Sequence, residues 1–259
     1  MSAQNPPLCV FLHGLLGDKT DWQPVIKILA EKAPRLACVA LDLPWHGDAK
    51  QEKVRDFAEA SAWLQQAIKR AGQNKKVFLV GYSLGGRLAL DYALRYRPAN
   101  LCGLILEGAN FGLQSETERV ARGQNDCNWA QRFANEPLAD VLNDWYQQPV
   151  FAHLNAAQRA ALIERRGQNN GQAISQMLQA TSLAKQPDFR AQLADLNCPL
   201  VYICGEKDTK FQQIARSAEM RPILIRGAGH NAHQENPQEF AEQLYKIIAE
   251  NIAFHAQNQ

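Results

Sequence analysis

The sequence predicts an α/β fold, with a mostly parallel sheet of about six or seven strands flanked by helices and a helical cap insertion. Short apolar runs typical of buried parallel strands alternate with segments of helical periodicity. The run at residues 77–80 ends in a glycine-rich turn that leads straight into a helical pattern. Between residues 111 and 184 the alternation stops, and only helical patterns follow one another. We therefore expect a core formed by residues 1–110 and 185–259, with residues 111–184 inserted as a helical cap.

The glycine-rich turn reads Gly-Tyr-Ser-Leu-Gly and has Ser83 at its centre. A serine on a tight turn between strand and helix needs small neighbours on both sides, so the two glycines fit an exposed nucleophile. An ordinary glycine-rich turn would show the same letters. The strand before the turn and the helix after it favour a nucleophile elbow, whose helix start also stabilises negative charge.

Two later strand ends carry the partners that a nucleophilic serine needs. Asp208 follows the apolar run at residues 200–204 in a GEKD turn, and His230 follows the run at 222–225 in a GAGH turn. The order Ser, Asp, His is that of the α/β-hydrolase triad, in which the histidine takes the serine proton and the aspartate orients the imidazole. We therefore expect Ser83, Asp208 and His230 to be the catalytic residues of an α/β-hydrolase fold.

The first predicted strand, residues 8–12, ends in a His-Gly pair. In an α/β-hydrolase this turn supplies one backbone donor of the oxyanion hole, here the N–H of Leu15, opposite the N–H of Leu84. His13 is expected to support this loop. Only seven residues precede Leu8, which leaves no room for the antiparallel hairpin that usually begins the fold. We therefore expect a trimmed sheet of about six strands, all parallel.

The second predicted strand, residues 36–41, ends in DLPWHGD. This segment resembles the DLPGHG turn of many α/β-hydrolases, except that Trp45 stands where glycine is usual. The sequence alone leaves open whether this departure alters the mouth of the site or has no effect.

Composition narrows the classes of partner. The 28 Lys and Arg residues nearly balance 26 Asp and Glu residues, so no nucleic-acid or membrane partner is expected. The chain begins without a signal-peptide pattern, which predicts a cytoplasmic protein. Six scattered cysteines without a CxxC pair predict buried free thiols, and neither cysteines nor histidines have metal-ligand spacing. No metal or organic cofactor is expected, and the oligomeric state, monomer or weak homodimer, stays open.

Arginines are the most informative charged residues. Arg87 lies about one turn into the helix that follows Ser83, and the predicted cap carries several more. Glutamates intersperse the cap arginines, so their charge alone does not distinguish a solvated face from a binding site. Several guanidiniums around one pocket would suit a substrate with more than one carboxylate.

Seven segments share a closer resemblance. They read GYSLGGR, LEGANFGLQ, NDWYQQPVF, QNNG, MLQATSLAKQPD, YICGEKDTKF and GAGHNAHQENP. Together they resemble the 2-succinyl-6-hydroxy-2,4-cyclohexadiene-1-carboxylate synthases of menaquinone biosynthesis. The match runs from residue 8 to residue 245 and includes the predicted cap, the part that varies most among hydrolase-fold relatives.

The resemblance implies a lyase that eliminates pyruvate from 2-succinyl-5-enolpyruvyl-6-hydroxy-3-cyclohexene-1-carboxylate, a small tricarboxylate, with serine acting as a base. The substrate-binding residues that it implies are Tyr82, Arg87, Arg122, Trp145 and Arg166. Two alternatives stay open: a serine esterase or thioesterase using the same triad, and a non-catalytic ligand-binding protein on a hydrolase scaffold. The sequence also leaves open whether Asp208 contacts His230 at rest and whether the cap is closed.

Overall fold

The computed structural model describes residues 6–72 and 75–257. The described residues form one sheet of six parallel strands in the order β2-β1-β3-β4-β5-β6. This confirms the expected trimmed, all-parallel sheet, in which β2 forms an edge. The strands are β1 (Leu8–Leu12), β2 (Ala37–Leu41), β3 (Val77–Tyr82), β4 (Leu101–Glu107), β5 (Leu200–Gly205) and β6 (Ile223–Ile225).

Helices cover both faces of the sheet. The α-helices of the described chain are α1 (Gln23–Lys32), α2 (Phe57–Gly72), α3 (Leu84–Tyr96), α4 (Glu116–Asn135), α5 (Leu138–Trp145), α6 (Ala156–Arg166), α7 (Gly171–Ala180), α8 (Thr209–Ser217), α9 (Ala232–Glu235) and α10 (Pro237–Gln257). Strand β3 shows the two-sided packing: Leu79 joins the apolar cluster under α2 and α3, whereas Phe78 and Val80 join the cluster under α1 and α10. A strand buried on both faces reads as a continuous apolar run, which explains the signal in the sequence.

The chain between β4 and β5 contains helices α4 to α7 and has an apolar cluster of its own, formed around Phe133, Leu142 and Ile174. The side chains of Asn155 and Asn170 cap α6 and α7, as their positions in the sequence predict. Residues 111–184 are called the helical insertion below. Its division from the core at these boundaries stays a prediction.

The structure corrects three local expectations. The sequence pattern predicts a helix over residues 21–32 with Asp21 as its cap, but Asp18 caps a 3-10 turn (Lys19–Trp22) and α1 begins only at Gln23. The pattern also predicts a last helix over residues 237–251, whereas α10 continues to Gln257. Cys9, Cys102 and Cys204 are buried free thiols as expected, whereas Cys38 and Cys198 are half-buried and Cys127 is exposed on α4. In the described ranges, no helix combines the length and apolar character needed to cross a bilayer.

Candidate active site

Ser83 occupies a strained turn between β3 and α3. Its backbone lies at φ 48° and ψ −107°, in the positive-φ region that side chains rarely adopt. Its N–H donates to the carbonyl of Glu107 on the neighbouring strand, at 2.8 Å. A Cβ atom on Gly81 would lie 2.6 Å from the Gly85 carbonyl oxygen, and one on Gly85 would lie 2.6 Å from that of Leu12. The GxSxG glycines are therefore required by close backbone contacts.

Asp208 and His230 lie side by side at the ends of β5 and β6. The Nδ1 of His230 donates to Oδ2 of Asp208 at 2.8 Å, and both side chains are buried. This contact leaves Nε2 of His230 as the proton acceptor. Asp208 also caps α8 by accepting the N–H of Phe211 at 3.3 Å, which fixes the carboxylate. Among the described residues the Ser83 hydroxyl has no hydrogen bond, an arrangement common in resting sites whose contacts tighten with substrate.

Three aromatic rings surround the His230 imidazole. Phe211 stacks on it with ring centroids 4.5 Å apart, Tyr82 lies at 5.2 Å, and Phe151 of the helical insertion lies at 6.2 Å. Burial raises the pKa of Tyr82 well above its ordinary value, so its phenol stays neutral. The rings leave His230 only 5% exposed. Phe151 and Phe211 end two of the segments that carry the family resemblance, NDWYQQPVF and YICGEKDTKF, but only the fold shows that their rings lie beside the imidazole.

The predicted oxyanion turn lies next to Ser83. A Cβ on Gly14 would come within 3.6 Å of the Ser83 Cβ and 2.6 Å of the Tyr82 ring. His13 holds the turn: its Nδ1 donates to the Gly14 carbonyl at 2.7 Å, and its Nε2 accepts the N–H of Leu43 at 2.9 Å. Burial lowers the pKa of His13 to about 4, which keeps the ring neutral.

The backbone N–H groups of Leu15 and Leu84 are the two predicted oxyanion donors. Within the described residues, neither Leu15 nor Leu84 donates its N–H to a backbone carbonyl. Leu84 is the first residue of α3, where the N–H groups point out of the helix start. Both donors are therefore available to an anionic oxygen, and their role stays a prediction.

Trp45 has a left-handed backbone, with φ 67°. This conformation explains why glycine is usual at the position. The tryptophan is nevertheless held in place, because its N–H donates to the carbonyls of Ala49 and Glu52 and its indole Nε1 donates to the carbonyl of Val54 at 3.4 Å. These hydrogen bonds stabilise the positive-φ backbone of Trp45.

Arg87 reaches from α3 to the end of the helical insertion. Its guanidinium donates to the Thr181 carbonyl at 2.8 Å and to Oε1 of Gln186 at 3.4 Å, and it lies over the Phe57 ring. Within the described chain it forms no salt bridge with a carboxylate. Burial, and secondarily the charge of Arg122, lower the pKa of Arg87 to about 9. A buried cation without a carboxylate partner favours an incoming anion.

Arg122 lies close enough to Arg87 for its charge to lower the pKa of Arg87. Unlike Arg87, Arg122 forms a salt bridge with a carboxylate. The Nε of Arg122 donates to Oδ1 of Asp126 at 2.7 Å, and Oδ2 of Asp126 accepts the Ser182 hydroxyl at 2.6 Å. Asp126, which sequence reasoning missed, therefore holds Arg122 beside Arg87.

Arg166 lies on the oxyanion side of the site. It is 4% exposed, and its Nη2 donates to Oδ2 of Asp21 at 2.8 Å, whereas its Nη1 is buried and has no hydrogen-bond partner among the residues that the structure describes. Burial alone would lower the pKa of Arg166, but the Asp21 carboxylate and the Tyr146 phenol more than offset it and raise the pKa above its ordinary value. This nitrogen can therefore donate a hydrogen bond to an acceptor on a bound ligand.

Trp145 packs against the apolar cluster of the helical insertion. Its ring packs edge-on against Trp129 at 5.0 Å and against Phe133 at 5.4 Å, inside the apolar cluster of the helical insertion. Tyr146, the next residue, is the one placed beside Arg166. A substrate contact of Trp145 stays a prediction.

His233, the nearest competitor of His230 in the sequence, is a fully buried core residue. Its Nδ1 lies 2.9 Å from Oε1 of Glu107, which also accepts the backbone N–H of His233 at 3.0 Å. Its ring stacks on Trp22 with centroids 4.1 Å apart. Glu107 and His233 therefore form a buried polar pair beneath the elbow, which no local pattern in the sequence indicates.

Comparisons with known proteins agree with this geometry. The family model described as alpha/beta hydrolase fold matches residues 7–237. A protein of Haemophilus influenzae is 50% identical over 241 residues, covering 92% of this chain and 96% of that protein. The 2-succinyl-6-hydroxy-2,4-cyclohexadiene-1-carboxylate synthase of Citrobacter koseri is 47% identical over 242 residues, covering 93% of this chain and 94% of the relative.

Among solved structures, the structure of MenH from S. aureus superposes with a TM-score of 0.85 at 25% sequence identity, and the match covers 96% of each chain. The strand order, the GxSxG elbow and the positions of Asp208 and His230 are those of an α/β-hydrolase. The chain belongs to the alpha/beta hydrolase fold family and, within it, to the family of 2-succinyl-6-hydroxy-2,4-cyclohexadiene-1-carboxylate synthases.

Proposed function

We propose that this protein is a carbon–oxygen lyase of menaquinone biosynthesis. It eliminates pyruvate from 2-succinyl-5-enolpyruvyl-6-hydroxy-3-cyclohexene-1-carboxylate and releases 2-succinyl-6-hydroxy-2,4-cyclohexadiene-1-carboxylate. The observation that carries the proposal is the 47% identity to the Citrobacter koseri synthase over 93% of this chain, an extent that includes the helical insertion. The insertion carries Arg122 and Arg166, two of the three arginines that would bind the substrate.

The reaction begins with removal of a ring proton. In the proposed mechanism, His230 takes the hydroxyl proton of Ser83 as the serine oxygen removes the proton on the ring carbon beside the succinyl ketone. Asp208, bound to Nδ1 of His230 at 2.8 Å, stabilises the imidazolium that forms. The electron pair of the broken C–H bond moves towards the ketone, and the N–H groups of Leu15 and Leu84 bind the enolate oxygen.

Elimination then follows through the ring. The enolate collapses to form a new double bond to the next ring carbon, the existing ring double bond shifts by one position, and the C–O bond to the enolpyruvyl group breaks. The leaving group departs as the enolate of pyruvate and takes up a proton, for which His230 is the nearest acid. No acyl-enzyme forms: Ser83 already carries the ring proton after the first step, and His230 returns to its neutral form when it gives its proton to the enolate of pyruvate.

The three substrate carboxylates match cations on two sides of the triad. Arg87 and Arg122 lie together on one side, and Arg166 lies near the oxyanion turn on the other. Arg87 without a salt bridge and Arg166 with an unpartnered buried nitrogen support this assignment, because a carboxylate would satisfy both. In the proposed complex, the arginines therefore bind the substrate carboxylates on both sides of Ser83.

The test is a pyruvate-release assay on the enolpyruvyl cyclohexene substrate, run beside hydrolysis of a p-nitrophenyl ester. The proposal expects fast pyruvate release and negligible ester turnover. Rapid ester hydrolysis without pyruvate release would instead establish the esterase alternative. Tight binding of the substrate without either reaction would establish the non-catalytic ligand-binding alternative.

Replacing Arg87 with alanine should raise KM for the substrate by roughly 10- to 150-fold, the loss expected for one charge-assisted contact to a carboxylate. Steady-state pyruvate release measures this change. Arg95→Ala is the matched control, because Arg95 lies on the same helix and pairs with Asp91 at 3.0 Å. Equal kinetics in both variants would remove Arg87 from the substrate site.

A further inference from the structure

The loop that carries His230 is closed by one carboxylate. The N–H of Gly229 donates to Oε2 of Glu235 at 2.9 Å, and the N–H of Asn231 donates to Oε1 of the same side chain at 3.2 Å. The two peptide groups flank His230 directly, and Glu235 reaches them from α9, the short helix that follows. The backbone on both sides of the predicted catalytic histidine is therefore fixed by a single side chain.

A third donor to Glu235 comes from the helical insertion. The Nε2 of His153 lies 2.9 Å from Oε1 of Glu235, and both side chains are largely buried. The His153 ring also lies against the backbone of Gly229, where an added Cβ would come within 2.1 Å of Nε2. The insertion thus touches the His230 loop at its backbone through His153, and at the imidazole through Phe151.

The chemistry of this contact requires a carboxylate. Two oxygens accept from three N–H donors, and neither oxygen has a proton to donate. An amide in place of the carboxylate would turn one oxygen into an NH₂ group, which would then face the N–H of Gly229 or of Asn231. Either orientation leaves one loop N–H opposite another donor, and the loop must move.

We propose that Glu235 is a positioning residue for His230, and that His153 makes this positioning depend on the seating of the helical insertion over the core. The inference rests on the proposed function, because it assigns Glu235 to the same triad. Substrate that draws the insertion down through its arginines would then also fix the histidine that handles the proton. Binding and proton transfer are coupled through one carboxylate.

The test compares Glu235→Gln with Glu239→Gln in the pyruvate-release assay. Glu239 is a matched control: its Oε2 accepts the N–H of Arg226 at 2.9 Å, and its side chain is 12% exposed against 14% for Glu235, but it holds no residue next to His230. We expect Glu235→Gln to lower kcat by roughly 10- to 100-fold with KM changed less than about twofold, the penalty of a catalytic group displaced by about 1 Å. Glu239→Gln should retain the kcat of the unaltered enzyme.

A second variant tests the link to the insertion. His153→Phe keeps a ring against Gly229 and removes only the donor to Glu235. It should lower kcat by about 10-fold. The double variant with Glu235→Gln should be no slower than Glu235→Gln alone, because both changes break the same contact. Additive losses would overturn the role of His153, and this variant carries the test if Glu235→Gln fails to fold.

Failure of the inference is distinct from failure of the proposed function. If Ser83→Ala abolishes pyruvate release but Glu235→Gln behaves like Glu239→Gln, the triad stands and Glu235 has no positioning role. A loss in Glu235→Gln that appears only in KM would overturn the inference equally. If Ser83→Ala keeps full activity, the proposed function of the triad falls.

Discussion

Replacing Ser83 with alanine is expected to lower kcat for pyruvate release by roughly 10²- to 10⁴-fold, the usual contribution of a general base. The variant keeps the elbow, because alanine is smaller than serine and the close contacts at Gly81 and Gly85 are unchanged. KM should change little, since the carboxylate-binding arginines are untouched. Single-turnover pyruvate release with enzyme in excess measures the chemical step directly.

His230→Ala should cause a loss of similar size, and the double variant should be no worse, because groups that act as one unit give non-additive losses. Ser217→Ala is the control, since Ser217 lies exposed on α8, where its hydroxyl donates to the Ile214 carbonyl at 2.8 Å and accepts from Nε of Arg190 at 3.2 Å. A Ser83→Ala enzyme that retained more than a tenth of its activity would exclude serine as the base.

Acidification from pH 7 to pH 4.5 is expected to lower the free energy of unfolding by roughly 2 to 3 kcal/mol through His13 alone. Burial lowers the pKa of His13 from 6.5 to about 4 in the folded protein. Between these values the unfolded chain binds a proton that the folded chain refuses, so stability falls as the pH falls. The cause is visible in the structure, because a proton on Nε2 would face the N–H of Leu43, which now donates to it. Denaturant unfolding at the two pH values measures the change.

His46 acts in the same direction. Burial, and then the neighbouring His13, lower its pKa to about 3, and the two rings lie 5.0 Å apart. His13→Gln should therefore reduce the pH dependence of the free energy of unfolding, but only by the contribution of His13. This expectation does not depend on how the substitution changes stability at pH 7. Between pH 7 and pH 8 both proteins should show no change. An unaltered acid slope in His13→Gln would place the acid sensitivity elsewhere.

The sheet and the location of Ser83, Asp208 and His230 at strand ends were predictable because their signals are local. Continuous apolar runs mark strands buried on both faces, and the glycines at 81 and 85 mark the tight turn between β3 and α3. The observed contact between Asp208 and His230 places the two predicted partners side by side.

The polar partners of the site were not predictable, because they join segments far apart in the chain. Asp21 fits the local signal of a helix cap, but its carboxylate is bound by Arg166, 145 residues later. Glu107 is the last residue of β4, and its local sequence indicates only the end of a strand. Its carboxylate nevertheless binds His233, which follows the insertion in the sequence. Local rules describe turns and caps, whereas these pairs depend on which elements the fold brings together.

The three rings around His230 bear on which reaction the triad can support. An esterase must admit a water molecule to the imidazole in its second half-reaction, where that water is activated to release the acyl group. Elimination of pyruvate needs no water at all. Phe211, Tyr82 and Phe151 lie around an imidazole that is only 5% exposed, so most of its surface is closed to bulk solvent. The same enclosure protects the enolate from stray protonation, and so favours a lyase over a hydrolase on a shared triad.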